Sequence, residues 1–252
     1  MTDKHAVDTA RGAITAWFGD TRISRADVLA WEARRTALAV RRFRGAVSVG
    51  SLEEQRALLV EAKAALGREA IAQRLRREVT WSDRVTRALA RASGKHRRVS
   101  QIELVARGCT ASRLPAWYRA RAEADDEAAF LGACPDHHLF RPTAELDGQE
   151  VWETTGGSPI ASRFFFTLGE TDGLITPADS SYAVQMAGTA RLADGTVIGG
   201  IRHQFRDEGD GMRARLTVEL PWLIGPFAAA AHRWHLACEF SGWIEAVIAD
   251  RG

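Results

Sequence analysis

The sequence predicts an α+β protein: an antiparallel sheet wrapped around one long C-terminal helix, a helix-grip arrangement, preceded by a helical N-terminal part. Three observations carry this. Residues 227–248 contain no helix breaker except Gly242, and their apolar residues leave little of the circumference for water. Upstream, apolar and polar residues alternate with period two, as in Met212–Leu220, and Ala193-Asp194-Gly195 and Gly209-Asp210-Gly211 mark turns. The first 110 residues instead carry helix caps and 3.6-residue spacing.

In order, Asp8–Phe18 reads as a short amphipathic helix. Ser24 with Asp27 three residues on caps a second, ending near Gly45. Ser51 with Glu54 is a capping box opening a third, to Gly67. Arg68–Arg77, Ser82–Ala92 and Ser100–Arg107 follow as helices, the last stopped by Gly108. Leu114 opens a helix with Pro115 in its first turn, running to Leu131. Cys134–Pro142 is a proline-bracketed loop. Strands are expected at Gln149–Thr155, Ser162–Leu168, Tyr182–Leu192, Thr196–Asp207 and Met212–Leu220. The domain division is 1–110, helical and accessory, and 111–252, the helix-grip part.

The composition, 46% hydrophobic and 26% charged, is that of a globular protein, and no apolar run approaches a membrane span. Three cysteines without paired spacing, and no signal-like start, point to a reducing compartment, the cytoplasm. Net charge is +2, yet residues 1–120 hold 24 Lys+Arg against 12 Asp+Glu, and residues 121–252 hold 10 against 20. Solvated arginine-rich helices explain the basic half. A helix-turn-helix over 100–121, near Lys95-His-Arg-Arg98, is the sharper alternative, but a nucleic-acid role is not expected. The helical part could pack, pair two copies of the chain, or cover a site.

Ligand-type residues recur. His235 and Glu239 lie one turn apart on the long helix, with His232 on the same side. His137 and His138 precede the sheet. Glu153 shares one strand face with Val151 and Thr155. Two histidines and two carboxylates make an N/O set suited to zinc.

These residues resemble the zinc-dependent carbon–carbon hydrolases of the 2,4-diacetylphloroglucinol hydrolase and phloretin hydrolase family. The resemblance rests on Pro135-Asp-His-His138, Glu153-Thr-Thr-Gly-Gly157, Gly199-Gly-Ile-Arg-His-Gln-Phe-Arg-Asp207, Met212-Arg-Ala-Arg215 and His235-Leu-Ala-Cys-Glu-Phe240, in the family's order. It covers about residues 115–245; the chain is shorter than the family, and residues 1–110 lie outside it. The resemblance implies a Bet v 1-like fold and Zn2+ held by His138, Glu153, His235 and Glu239, with His138 preferred over His137 as third residue after the proline. His203, with Arg202 or Arg206, is implied as acid/base or phenolate stabiliser. The implied reaction is hydrolysis of the bond between an acyl group and a phenolic or 1,3-dicarbonyl compound, with a small aromatic or polyketide-like substrate. The alternatives are a non-enzymatic small-molecule binder, a metal-free cyclase, or a ligand-sensing regulator with a basic helical head.

Overall fold

The computed structural model describes residues 14–45, 50–144 and 148–250. One nine-stranded antiparallel sheet organises them, in the order β2-β1-β3-β9-β8-β7-β6-β5-β4. The strands are β1 (Ile14–Phe18), β2 (Thr21–Ile23), β3 (Arg97–Arg107), β4 (His137–Pro142), β5 (Gly148–Glu153), β6 (Ser162–Leu168), β7 (Val184–Arg191), β8 (Val197–Glu208) and β9 (Gly211–Pro221). The helices are α1 (Arg25–Arg44), α2 (Leu52–Ser93), α3 (Arg113–Glu123), α4 (Glu127–Ala133) and α5 (Pro226–Ala249).

The C-terminal half follows the period-two reading. β7 and β8 pair around the Asp194-Gly195 turn, and β8 and β9 pair from Gly200↔Glu219 to Glu208↔Gly211. α5 packs against β1 and β3 near one end of the strand order and against the 3-10 turn Thr155–Gly157, just after β5, near the other. Strands stand about 4.8 Å apart and a helix is only ~10–12 Å across. A flat sheet cannot touch one helix from both directions, so the sheet curls around α5.

Two glycines let α5 sit that close. A Cβ on Gly242 would lie 2.5 Å from the carbonyl oxygen of Ala133, at the end of α4. Gly156 has φ +58°, and a Cβ there would lie 3.0 Å from the backbone nitrogen of His232. Gly242, the one helix breaker in α5, is therefore a contact point between helices rather than a bend.

The N-terminal part departs from the wholly helical expectation. Both capping boxes form, Ser24–Asp27 on α1 and Ser51–Glu54 on α2. α2 is kinked at Gly67 (φ 73°), then runs unbroken to Ser93, joining the two helices expected at 68–77 and 82–92. Ser100–Arg107, however, belongs to strand β3. Ser100, Ile102, Leu104 and Ala106 are buried and alternate with Gln101, Glu103, Val105 and Arg107. β3 pairs with β9 over eleven positions, from Arg97↔Pro221 to Arg107↔Gly211, which removes the helix-turn-helix. Ile14–Phe18 is strand β1 rather than the end of a helix; residues 8–13 of that expected helix lie outside the described ones. Short apolar runs are ambiguous between the two states, and here pairing with β3 decides. The chain before residue 110 thus contributes three strands to the same sheet.

Two further boundaries move. The helix expected over 114–131 breaks at Asp125 (φ 51°), where Asp126 caps α4 through the Ala129 N–H. The Cys134–Pro142 loop contains strand β4, paired with β5. α1 and α2 cover the outer face of β4 and β5. Val40, Phe43, Ile71, Leu75 and Val79 form a second core with Leu139 and Trp152. The main core lies between α5 and the inner face of the sheet.

Gly242→Val should force α4 and α5 apart. Overpacking of this kind costs ~1–3 kcal/mol, and the thermal midpoint should fall by about 2–10 °C, measured by circular dichroism against wild type.

Candidate metal centre and cavity

Strand pairing creates the centre. His137 on β4 lies directly opposite Glu153 on β5, and the register then slips between His137 and Leu139. His138 is the extra residue of this bulge, which reverses the side to which neighbouring side chains point. The His137 ring faces inward to α5. The His138 ring faces outward, against Phe43 of α1 and the Thr154 hydroxyl. The structure therefore does not bring His138 to Glu153, His235 and Glu239; it brings His137. Counting from Pro135 could not reveal this, because a bulge leaves no mark in residue spacing.

The inward group is compact. His137 Nε2 lies 3.4 Å from Glu239 Oε1 and 4.0 Å from Glu153 Oε2. His235 Nε2 lies 3.6 Å from the same Glu153 oxygen. Both Nε2 atoms are buried without a hydrogen-bond partner. A tetrahedral ion with ~2.0–2.1 Å bonds holds its ligand atoms roughly 3.3 Å apart. The three distances of 3.4, 3.6 and 4.0 Å stand near the spacing such an ion needs, and the two orphaned nitrogens are what it would satisfy.

The opposite nitrogens are anchored. His137 Nδ1 faces the Phe130 carbonyl oxygen at 2.8 Å, which places its proton on Nδ1 and leaves Nε2 as the lone-pair side. His235 Nδ1 lies 4.0 Å from Asp136 Oδ2 and 3.9 Å from Cys134 Sγ. Arg35 of α1 fixes Asp136 with fork-like bonds of 2.8 and 3.0 Å. Asp136 lies just outside hydrogen-bond reach of His235, whose Nδ1 is met instead by Cys134 Sγ. Lys63 of α2, fully buried, donates to the carbonyl oxygens of Pro135 and His137 and so clamps the turn that carries His137. Burial pulls its ammonium down to about 8. Cys134, His137 and His235 together offer three ligand atoms within 4.8 Å of one another, a buried group that could hold a metal ion such as zinc.

The electrostatics of the group are those of a cation site. Burial works against ionising Glu153, but His235, His137 and His232 outweigh it and hold the carboxyl down at about 2. Burial likewise opposes charge on His235; Glu153, Asp136 and Glu239 overcome that and raise it well above the ordinary imidazole value. A proton on His235 is then the counter-charge a divalent ion would replace, so metal binding should release it.

The centre opens on a cavity of about 540 Å³ between α5, the sheet and α2, a volume typical of small-molecule sites. Glu153, His235 and Glu239 line it with His203 and His232; Phe164, Phe166 and Phe240 supply apolar wall. His203 stands edge-on to Phe240 at 4.7 Å. Its Nδ1 accepts the Thr217 N–H at 3.2 Å, so the neutral ring carries its proton on Nε2. Burial, with His232 adding to it, pushes His203 down to about 3.

Arg202 and Arg206 do not share the cavity. Strand alternation turns them to the other face of β8. Arg202 donates to the Thr176 carbonyl and to Gln185, while Arg206 lies over Tyr182 and bonds Glu208. Tyr118 does line the cavity and donates to Gln149, whereas Tyr182 donates to Glu103 away from it. Sequence spacing missed Asp136, Lys63 and Tyr118. Each acts through a partner far along the chain, and no local pattern records such a contact.

His203 generates a pH prediction. The unfolded chain takes up a proton near 6.5, while native His203 resists until about 3. The native state therefore loses stability as pH falls through this window, by up to ~1.4 kcal/mol per pH unit for one group. His203→Gln keeps an acceptor and a donor but does not titrate. Its urea midpoint relative to wild type should rise steadily from pH 6.5 to pH 4; a constant difference would contradict a buried neutral imidazole.

No family model matches this chain, and no curated protein matches it. Among solved structures it is similar to Ara h 8.0201, at 11% identity and TM-score 0.36 over 61% of this chain and 96% of that one. It is similar also to protein Ms6760 from Mycobacterium smegmatis, at 12% identity and TM-score 0.34 over 61% of this chain and 91% of that one. At these scores the fold and the site rest on their own geometry.

Proposed function

We propose that this protein is a zinc-dependent hydrolase that cleaves the bond between an acyl carbon and a phenolic ring carbon. The observation that carries the reading is the pair of orphaned Nε2 atoms, of His137 and His235, set against the carboxylates of Glu153 and Glu239 at the wall of the cavity. Isolated buried carboxylates and partnerless buried imidazole nitrogens are both costly. One divalent ion satisfies all four. In this reading His137 takes the role that the family resemblance suggested for His138.

A bound zinc ion supplies Lewis acidity toward a carbonyl oxygen and lowers the pKa of water. The rest is the work of the chain. Phe164, Phe166 and Phe240 hold an aromatic ring in the cavity and exclude water. His203 presents Nε2–H as a neutral donor, suited to a phenol oxygen that gains charge as the ring carbon departs. Its depressed pKa makes it a stabiliser of that oxygen rather than a proton source. Overall, one water is divided: hydroxide goes to the acyl carbon and a proton to the ring carbon, giving a carboxylic acid and the shortened phenol. Ortho and para hydroxyls are required on the substrate because the leaving carbon needs keto forms to accept charge. Thr155 donates to Glu153 Oε1 at 3.0 Å and keeps its other oxygen turned to His235.

The test is metal content by elemental analysis together with hydrolysis of an acylated phloroglucinol. Wild type should hold about one zinc per chain. His137→Ala, His235→Ala and Glu153→Ala should each weaken zinc binding by more than about hundredfold and abolish turnover. His138→Ala should keep the metal. Zinc affinity should fall as pH drops, because the proton on His235 competes. Loss of metal from His138→Ala with retention in His137→Ala would overturn the assignment.

A further inference from the structure

The polar groups of the cavity are not evenly available. At the inner end, the lining residues His232 and His235 have nitrogens without partners. Toward α2, most of the polar lining is engaged within the protein, Arg163 Nε excepted. Ser82 and Ser162 bond each other at 2.8 Å, and Arg163 bonds Asp83 at 3.0 Å. Glu219 accepts from the backbone N–H groups of Ile175 and Thr176. What this end offers a ligand is mainly apolar surface: Val85 of α2, Ile224 of the 3-10 turn after β9, and Ala228 in the first turn of α5.

Exposed large hydrophobic residues belong to this lining or neighbour it in sequence. Trp81, itself a lining residue, is 57% exposed; Leu223, beside Ile224, is 50% exposed; and Phe227, beside Ala228, is 88% exposed. An exposed apolar residue that also lines a cavity, as Trp81 does, marks a path for an apolar ligand. α2 forms one side of this mouth and lies outside the stretch that resembles the hydrolase family.

We propose that the substrate is amphiphilic: a phenolic head at the metal centre and an unbranched alkyl or alkanoyl tail that runs past Val85 and Ala228 and ends on Trp81. These residues select tail length. The inference rests on the site of the proposed hydrolase but not on its chemistry, because a tail contributes to binding whether or not a bond is cleaved.

The experiment uses the full-length protein and 4-alkylresorcinols from ethyl to dodecyl, which have head and tail but no acyl carbonyl to hydrolyse. Binding is read by calorimetry. The dissociation constant should fall about two- to fourfold per methylene until the tail reaches the rim, then level off. Val85→Trp and Ala228→Trp should bring the levelling point to shorter tails and leave ethylresorcinol unaffected. Trp81→Ala, at an exposed position, should weaken only the longest tails and guards against misfolding of the inner variants. Affinity independent of tail length, or equal weakening of every homologue in Trp81→Ala, would overturn the inference. Flat tail dependence with intact hydrolysis of the acetyl compound removes only this proposal. Tail-dependent binding without any hydrolysis or bound zinc removes only the reaction.

Discussion

The structure depends on one electrostatic constraint: two carboxylates, Glu153 and Glu239, lie close to two buried imidazoles at the inner wall of the cavity. Such a group cannot stand without a positive charge among its members. The architecture is arranged to bring it together from three elements. β4 and β5 provide His137 and Glu153 as directly opposed residues. α5 provides His235 and Glu239 one turn apart. Gly156 and Gly242 allow the helix to approach both the 3-10 turn after β5 and the end of α4 closely enough for the side chains to meet.

The N-terminal helices are part of this construction. Arg35 of α1 holds Asp136 behind His235, and Lys63 of α2 holds the turn before His137. Arg25 of α1 also pairs with Glu245 of α5 inside the protein. The basic excess of the first half is spent partly inward, on acidic and carbonyl groups of the second half. Arg35 and Lys63 therefore support the centre, while Arg42, Arg56, Arg68 and Arg87 make ion pairs elsewhere in the protein.

The long C-terminal helix, the hairpins and both capping boxes were legible because each is a local pattern. The one-turn spacing of His235 and Glu239 on α5 was legible for the same reason. β3 was misread because Ser100–Arg107 is framed by helix-like breakers; its period-two burial becomes decisive only when β9 lies beside it. The choice between His137 and His138 turned on a bulge, a feature of pairing between strands and not of either strand alone. Arg202 and Arg206 flank His203 in sequence, yet alternation sends them to the opposite face, a rule that could have been applied to the sequence.

The central claim is that a single ion sits on the Nε2 side of His137 and His235, with Glu153 and Glu239, and not on the side where Cys134 approaches His235 Nδ1. X-ray absorption at the zinc edge on the zinc-loaded protein tests it most directly. The account predicts nitrogen and oxygen neighbours only, at ~2.0–2.2 Å. A sulfur neighbour near ~2.3 Å would place the ion at Cys134 and contradict it.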